Sequence, residues 1–228
     1  MHGKISLITA FILLFSLFNY SYTQSVEPYV NIKVKGNLSV SYHIAPDGEN
    51  KVDIKENADL VRYKLKNNTI IVKHKKLGAK KEHKATVEIH GKPLKEITVK
   101  HSANLIIEDE MPSDTVEVKI VTGGELRANL KTNFVAMKVR TDGFGYLTGN
   151  INSLDVKSSL KGNLRANDAN IENALVNINT WGFAAFNKTT KITGKVRSKG
   201  ELKVYGGTDS SGIKKSKSGI ISVIYETM

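Results

Sequence analysis

Apolar and polar residues alternate with a period of two along most of the chain from Tyr29 onward. The clearest examples are residues 30–34, 52–55, 61–65 and 71–74. Because successive side chains of a strand point to opposite faces, this alternation predicts half-buried β-strands. Residues 46–48 join two of these strands, and residues 66–69 join another two in the manner of a hairpin. No window carries the 3.6-residue apolar stripe of a helix, so the pattern predicts an all-β protein.

The second half of the chain contains an internal repeat. Each unit reads apolar-x-apolar, then a short polar stretch, then a small residue followed two positions later by an apolar one. The small residues are Ala103, Gly124, Gly145, Gly162, Gly182 and Gly200, with spacings of 21, 21, 17, 20 and 18. A period near about 19 residues with short strands indicates a β-solenoid, in which stacked rungs bury continuous apolar columns. An antiparallel meander or sandwich is the alternative, since its strands also recur regularly.

The repeat predicts three inward columns, with the small residues at the corners between strands. The first column is Ile97, Val118, Met137, Leu154, Val176 and Ile192. The second is Val99, Ile120, Val139, Val156, Ile178 and Val196, and the third is Leu105, Leu126, Leu147, Leu164, Ala184 and Leu202. We expect N-terminal β-hairpins to cap one end of this solenoid. A last strand at 220–225 covers the other end or pairs with another chain, which would make a homo-oligomer.

The chain has no cysteine, which excludes disulfides, cysteine-ligated zinc, iron–sulfur clusters, a thiol nucleophile and a lipoprotein anchor. At the N-terminus Lys4 precedes an apolar run at 5–18, which is shorter than the roughly 20 residues that span a bilayer. These features predict a secretory signal cut before Gln24, with a retained membrane anchor as the alternative. The expected organisation is a signal peptide at 1–23, a hairpin and capping region at 24–95, solenoid repeats at 96–207, and a polar linker with a terminal strand at 208–228. The mature chain would be exported to the periplasm, cell surface or medium, with no transmembrane segment.

The hairpin-rich start at 40–54, the strand at 68–72 and the Gly-x-Leu rungs resemble a known family, the putative auto-transporter adhesin, head GIN domain. The resemblance covers residues 29–207, and the corner at 142–145 is the closest to the family's own corner motif. It implies a right-handed parallel β-helix-like fold, a bacterial cell-surface location and an adhesin label. It implies no catalytic residue.

The net charge points to an anionic partner. Of 34 Lys and Arg residues, 33 remain after the signal against 22 acids, a charge of +11, and residues 118–209 hold 14 cations against seven acids. The position after the second column reads Lys100, Val121, Arg140, Lys157, Asn179 and Arg197, an outward ladder. A second register carries Arg127, Arg165 and Lys203, with Phe144, Tyr146, Trp181, Phe183 and Phe186 nearby. We therefore predict binding of an anionic polysaccharide, or of another envelope protein, at Lys100, Arg140, Lys157, Arg197 and Trp181. A solvated face that protects sheet edges is the alternative.

Other chemistries have less support in the sequence. Glu125 and Glu201 share a register but lie four rungs apart, roughly 19 Å, which is too far for a glycosidase pair. The histidines show no metal-ligand spacing, the acidic run at 108–110 reads as a solvated loop rather than a cation site, and no cofactor is expected. The lysine-rich segment 73–84 reads as a soluble hairpin tip, with docking on anionic headgroups as its alternative. Nucleic acid is not expected as a partner of an exported chain.

These observations predict a non-enzymatic, exported cell-envelope protein that acts as an adhesin or binding module. A structural or sensory envelope component without glycan affinity is the first alternative. A polysaccharide-active β-helix enzyme is the last.

Overall fold

The computed structural model describes residues 22–45, 48–76, 84–206 and 208–224. The fold is a β-solenoid of about seven turns in which 74% of the described residues are in strands. Among the described residues there is one short 3-10 turn, Ala58–Leu60, and no α-helix. The predicted all-β solenoid is confirmed, and the parallel pairing of the central strands excludes the antiparallel sandwich. The right-handed sense implied by the resemblance stays a prediction. The expected signal at 1–23 lies outside the described residues except for Tyr22 and Thr23.

The strands fall into a short N-terminal set, five long rungs and a short C-terminal set. The first set is β1 (Tyr22–Ser25), β2 (Asn31–Lys35), β3 (Leu38–Ile44), β4 (Lys51–Glu56), β5 (Val61–Lys66), β6 (Thr69–His74), β7 (Ala85–Gly91) and β8 (Glu96–Lys100). The long rungs are β9 (Asn104–Val121), β10 (Glu125–Arg140), β11 (Phe144–Ser159), β12 (Asn163–Ile178) and β13 (Phe183–Val196). The last set is β14 (Glu201–Tyr205), β15 (Asp209–Lys215) and β16 (Ile220–Ile224).

Each long rung has two faces that meet at a tight corner. We call the strand segment after the corner face 1 (for example residues 125–128) and the segment before the next corner face 2 (residues 134–140). Buried and exposed residues alternate along each segment, and the alternation changes phase between them where the chain bends. Parallel pairing in register then stacks equivalent residues at roughly 4.8 Å, so the buried ones form continuous columns.

β2 and β3 form the first rung in the sequence, and this rung lies between two rungs formed by later strands. On face 2, β2 pairs in parallel with both β6 and β8, and on face 1, β3 pairs in parallel with both β7 and β9. The end of the solenoid is then covered by antiparallel strands: β5 on β6, β4 on β7, and β1 on β4. The covering layer satisfies the backbone groups that a bare parallel edge would expose.

The predicted hairpin is present between β5 and β6, where Asn67 and Asn68 both have positive φ, 50° and 54°. The strands on either side of residues 46–48 do not pair with each other, because β7 lies between β3 and β4. Residues 46 and 47 themselves lie outside the described part of the chain.

At the other end, β15 and β16 form the last rung. β15 pairs with β13 and β16 pairs with β14, each in parallel. β16 is the final strand in the sheet order, and its apolar residues Ile220, Val223 and Ile224 are exposed. The predicted terminal strand is therefore present within 220–224, and Tyr225 is not described.

The predicted columns are wrong by two residues at β11. Gly143, not Gly145, occupies the corner, and Gly145 pairs with Leu126 and Leu164 in the third column. Leu147, which we expected in that column, pairs with Ala128. A Cβ at Gly145 would lie 2.5 Å from Met137 Cε, so the Met137 side chain fills the inward position that glycine leaves open. A pattern of apolar residues does not reveal an inward glycine.

The same two-residue difference in register affects the first and second columns. Val156 joins the first column, between Met137 and Val176, while Ser158 takes the place expected for Val156 in the second. The buried Ser158 Oγ donates to the Gly162 carbonyl at 2.7 Å and accepts from the Phe183 N–H at 3.2 Å. In β13, Gly194 rather than Ile192 pairs with Val176. Leu154 and Ile192 belong to a further buried column, which reads Val116, Val135, Leu154, Ala174 and Ile192.

The corners share one backbone shape. Two residues with positive φ precede a glycine, as in Leu160 (51°), Lys161 (62°) and Gly162. A Cβ on Gly162 would overlap the Val139 carbonyl oxygen of the preceding rung. Close packing against the neighbouring rung, rather than positive φ, is therefore what requires glycine at this position.

Candidate functional site

Two neighbouring outward columns on face 2 carry a dense set of cations. We call them column A and column B, and together the basic face. Column A runs Lys64, Ile71, Lys33, Thr98, Lys119, Lys138, Lys157, Asn177, Lys195 and Lys214 from β5 to β15. Column B lies two residues further along each parallel strand and two residues earlier on the antiparallel β5. It runs Arg62, Lys73, Lys35, Lys100, Val121, Arg140, Ser159, Asn179 and Arg197.

The basic face therefore holds seven lysines in column A and six cations in column B, with no carboxylate in either column. Within the described part of the chain, none of these cations forms an ion pair. Most of the side chains are exposed, while Lys33, Lys35 and Lys100 are half-buried. Unpaired like charges at strand spacing repel each other and create a strong local positive potential.

Burial and, after it, neighbouring positive charges lower the pKa of two lysines at the N-terminal part of the face. Partial burial, followed by the positive charges of Lys35, Lys33 and Lys119, lowers the pKa of Lys100. Partial burial, followed by Lys33, Lys73 and Lys64, likewise lowers the pKa of Lys35. The two columns therefore act on each other as one electrostatic unit.

A short acidic column runs beside column A on the opposite side from column B. It contains Glu96, Glu117 and Asp155, with Ala136 between the last two. The space between this acidic column and column A is a groove of about 320 Å³ that spans four strands, β8 to β11. Lys119, Lys138 and Lys157 line it on the basic side. The groove therefore runs across the strands, parallel to the columns.

The structure places all four predicted cations on this face, but not in one column. Lys100, Arg140 and Arg197 lie in column B as expected. Lys157 lies in column A, between Lys138 and Asn177, because the β11 register differs by two residues from the predicted one. Ser159 takes the expected place of Lys157, next to Arg140.

Trp181 lies at the corner that follows face 2 and is 57% exposed. The Lys199 Nζ atom is 4.4 Å from the centroid of its ring. The indole therefore projects at the border of column B instead of packing into the core.

The aromatic residues expected beside the cations lie on face 1. There Arg127 lies over the Tyr146 ring at 5.8 Å, Arg165 over Phe144 at 5.9 Å and Lys203 over Phe183 at 5.8 Å. Because each ring has a cation above it, these rings do not form a bare stacking platform. The Tyr146 hydroxyl donates to Asp168 at 2.6 Å, which raises the pKa of Tyr146. Phe186 is fully buried and belongs to the core.

The remaining candidates, which are the acidic residues and histidines considered for catalysis or metal binding, are dispersed. Glu125 and Glu201 are separated by four strand pairings on face 1, as predicted. Within the described residues no group of three acidic or histidine side chains is placed to hold a metal ion. Residues 108 and 109 form a bulge in β9, where Asp109 accepts from the Ile44 N–H at 2.8 Å and lies 3.7 Å from His43 Nδ1. The acidic run 108–110 therefore lies within β9, and Asp109 links β9 to β3.

The lysine-rich segment 73–84 is not a hairpin tip. The strands around it, β6 and β7, pair with other strands and form one rung on two faces. The segment thus replaces a short corner such as residues 101–103. Residues 77–83 lie outside the described part of the chain.

Sequence reasoning missed the other nine cations of the basic face, which are Lys33, Lys35, Arg62, Lys64, Lys73, Lys119, Lys138, Lys195 and Lys214. The signal was present as lysine at every second position of residues 33–35 and in the strands of the repeats. Assigning these lysines to one face requires knowing that β2 pairs between β6 and β8, which the order along the chain does not indicate.

The structure is similar to several solved bacterial proteins. The crystal structure of a putative adhesin from Bacteroides fragilis has a TM-score of 0.74 and 19% sequence identity, covering 90% of this chain and 96% of that one. A putative adhesin from Parabacteroides distasonis gives 0.60 and 22%, covering 91% and 96%. A putative lipid binding protein from the same species gives 0.61 and 17%, covering 92% and 98%. At these identities the likeness establishes the fold alone.

Curated proteins and family profiles give two further comparisons. No curated protein matches the chain. In the part of the chain that the structure describes, no helix is long and apolar enough to cross a membrane. The sequence profile of one family matches residues 28–208, nearly the whole solenoid. The chain therefore belongs to the putative auto-transporter adhesin, head GIN domain family.

Proposed function

We propose that this protein is a non-enzymatic binding module of the cell envelope whose basic face binds anionic glycans. The observation that carries the proposal is the stacking of seven lysines and six further cations in two adjacent columns without a carboxylate. Repulsion within this face costs folding energy, and an anionic partner would remove that cost. Membership of an adhesin family agrees with a binding role at the cell surface.

The roles of the residues follow from their positions. Lys100, Arg140 and Arg197 in column B and Lys157 in column A would contact carboxylate or sulfate groups of the glycan. Trp181, exposed at the border of column B, has Lys199 over one side of its ring at 4.4 Å and would offer only the other side of the indole to a sugar ring. The distance between Glu125 and Glu201, roughly 19 Å at four strand spacings, is too long for these two residues to act as a glycosidase pair.

The test is retention of the purified protein on an immobilised acidic polysaccharide over a salt gradient. We expect binding that weakens as salt rises, because counterions compete for the basic face. The variant Arg140→Gln/Lys157→Gln/Arg197→Gln should bind about tenfold or more weakly. The variant Arg127→Gln/Arg165→Gln/Lys203→Gln removes the same charge from face 1 and should bind nearly as well as the unmodified protein.

Three outcomes would contradict the proposal. If the unmodified protein is not retained, the alternative of a structural or sensory component is favoured. If both triple variants lose affinity equally, net charge rather than the basic face is responsible. If acidic polysaccharides are cleaved on incubation, the protein is an enzyme.

Export is part of the proposal, and sequencing of the mature N-terminus tests it. A cut before Gln24 would leave Gln24 and Ser25 paired with Val52 and Lys51 of β4. Homo-oligomerisation through β16 likewise stays a prediction, which sedimentation analysis tests.

A further inference from the structure

Resting on the proposed function, we infer that the ligand of the basic face is a linear acidic polysaccharide that lies along the solenoid axis, across the strands. Column A extends over ten strands from Lys64 to Lys214. At the usual strand spacing this is about 43 Å, whereas columns A and B are only about 7 Å apart. The positively charged surface is therefore a long, narrow track.

The spacing of the cations along the track suits a polymer. Lys119, Lys138 and Lys157 follow one another on adjacent strands, so their side chains start about 4.8 Å apart. A sugar residue in an extended acidic polysaccharide advances the chain by a distance close to this spacing. The carboxylates on one side of such a polymer can thus stay in step with the lysines without bending the chain.

The acidic column favours a rod over a flat surface as the partner. Glu96, Glu117 and Asp155 run beside column A for four strands and border the same groove. A planar anionic membrane on this face would press its headgroups against these carboxylates as well as against the lysines. A single polymer chain lies within the track and avoids the carboxylates.

The experiment measures binding of α-1,4-linked oligogalacturonates as a function of their length. We expect affinity to increase from about three sugar residues to about nine or ten, the number that spans the track, and then to level off. The dependence of affinity on salt should also steepen with length, because each added ion pair releases further counterions.

Two single variants with the same charge change test the orientation. Lys138→Glu interrupts the middle of the track, and Lys214→Glu alters its end. For the longest oligomer we expect Lys138→Glu to weaken binding about tenfold and Lys214→Glu about twofold or less. Thermal unfolding of both variants confirms that they are folded.

The outcomes separate this inference from the proposed function. Equal affinity for short and long oligomers, or equal effects of the two variants, would overturn the axial track and leave glycan binding intact. Failure of every oligomer to bind, with binding to phosphatidylglycerol vesicles, would overturn both and identify the basic face as a membrane-docking surface. Failure to bind either probe would also overturn both.

Discussion

At the residue scale, the corners combine strained backbone with tight packing. Leu160, Lys161, Thr180 and Trp181 all have positive φ, which costs a non-glycine residue about 1–2 kcal/mol. Hydrogen bonds between stacked corners offset part of this strain, as when the Asp142 N–H donates to the Leu160 carbonyl at 3.1 Å. Glycine occupies the third position of this corner and of the next one, Gly162 and Gly182, where the chain touches the preceding rung.

The corner geometry predicts opposite effects for two neighbouring substitutions. Gly162→Ala should lower the free energy of unfolding by about 1–3 kcal/mol, because its Cβ would overlap the Val139 carbonyl. Leu160→Gly is the control and should be neutral or stabilising by up to about 1 kcal/mol, since it relieves a positive φ. Urea denaturation measures both. If Gly162→Ala leaves the free energy of unfolding unchanged, the corner can shift away from the Val139 carbonyl and does not require glycine.

Substitutions at Met137 and Gly145 should be coupled, because the Met137 side chain fills the space beside Gly145. Equivalent pairs in the flanking turns are Val118 with Leu126 and Val156 with Leu164. Met137→Val should leave a cavity and Gly145→Leu should overpack the core, each costing about 1–3 kcal/mol. The double variant restores the valine–leucine pair of the flanking turns. Its loss of unfolding free energy should therefore be smaller than the sum of the two single losses by about 0.5–3 kcal/mol. Additive effects in denaturant unfolding would contradict this coupling.

At the element scale, the sequence reveals strands and repeats better than it reveals pairing. Alternation predicts the strands, and the Gly-x-apolar repeat predicts the stacked rungs of 96–207. The register of β11 was not predictable from apolar positions, because Gly145 and Ser158 occupy inward sites. The insertion of β2 and β3 between later rungs was not predictable either, because parallel partners need not be neighbours in sequence. The four predicted cations accordingly lie on the basic face, but most of the lysines of that face were not predicted.

The β5–β6 hairpin offers a test of an individual element. Both central residues have positive φ, which defines a turn that favours glycine in its second position. Asn68→Gly should therefore raise the free energy of unfolding by about 0.5–1 kcal/mol. Asn68→Val should lower it by about 1–2 kcal/mol, because a β-branched residue resists positive φ. Chemical denaturation distinguishes the two, and equal stabilities would contradict the assigned turn.

At the scale of the whole molecule, the basic face links stability to binding. The pKa of Lys100 is lower in the folded protein than in the unfolded chain, so the unfolded chain binds more protons between the two values. Stability should therefore rise as the pH rises through the lowered pKa towards the ordinary lysine value. An acidic polysaccharide bound only to the folded state should stabilise the protein in the same way.

This link predicts a trade-off at Lys100. Lys100→Gln removes a repelled, half-buried charge and should raise the free energy of unfolding by about 0.2–1 kcal/mol while it weakens polysaccharide binding. Thermal unfolding at pH 7 and at pH 10 measures the stability, and the gain should be smaller at the higher pH. A variant that loses stability would show that Lys100 is held by favourable contacts.

The insertion of the first rung between later ones also determines the order in which the molecule can be assembled. β2 and β3 leave the ribosome before any strand with which they pair, and their last partner, β9, begins at Asn104. The capped end needs only β6 and β7 as partners, and β7 ends at Gly91, so a nascent chain shorter than this has nothing on which to close that end. Folding from the N-terminus must therefore wait for long-range pairing, which is intrinsically slow, whereas each later rung only has to add to a completed neighbour.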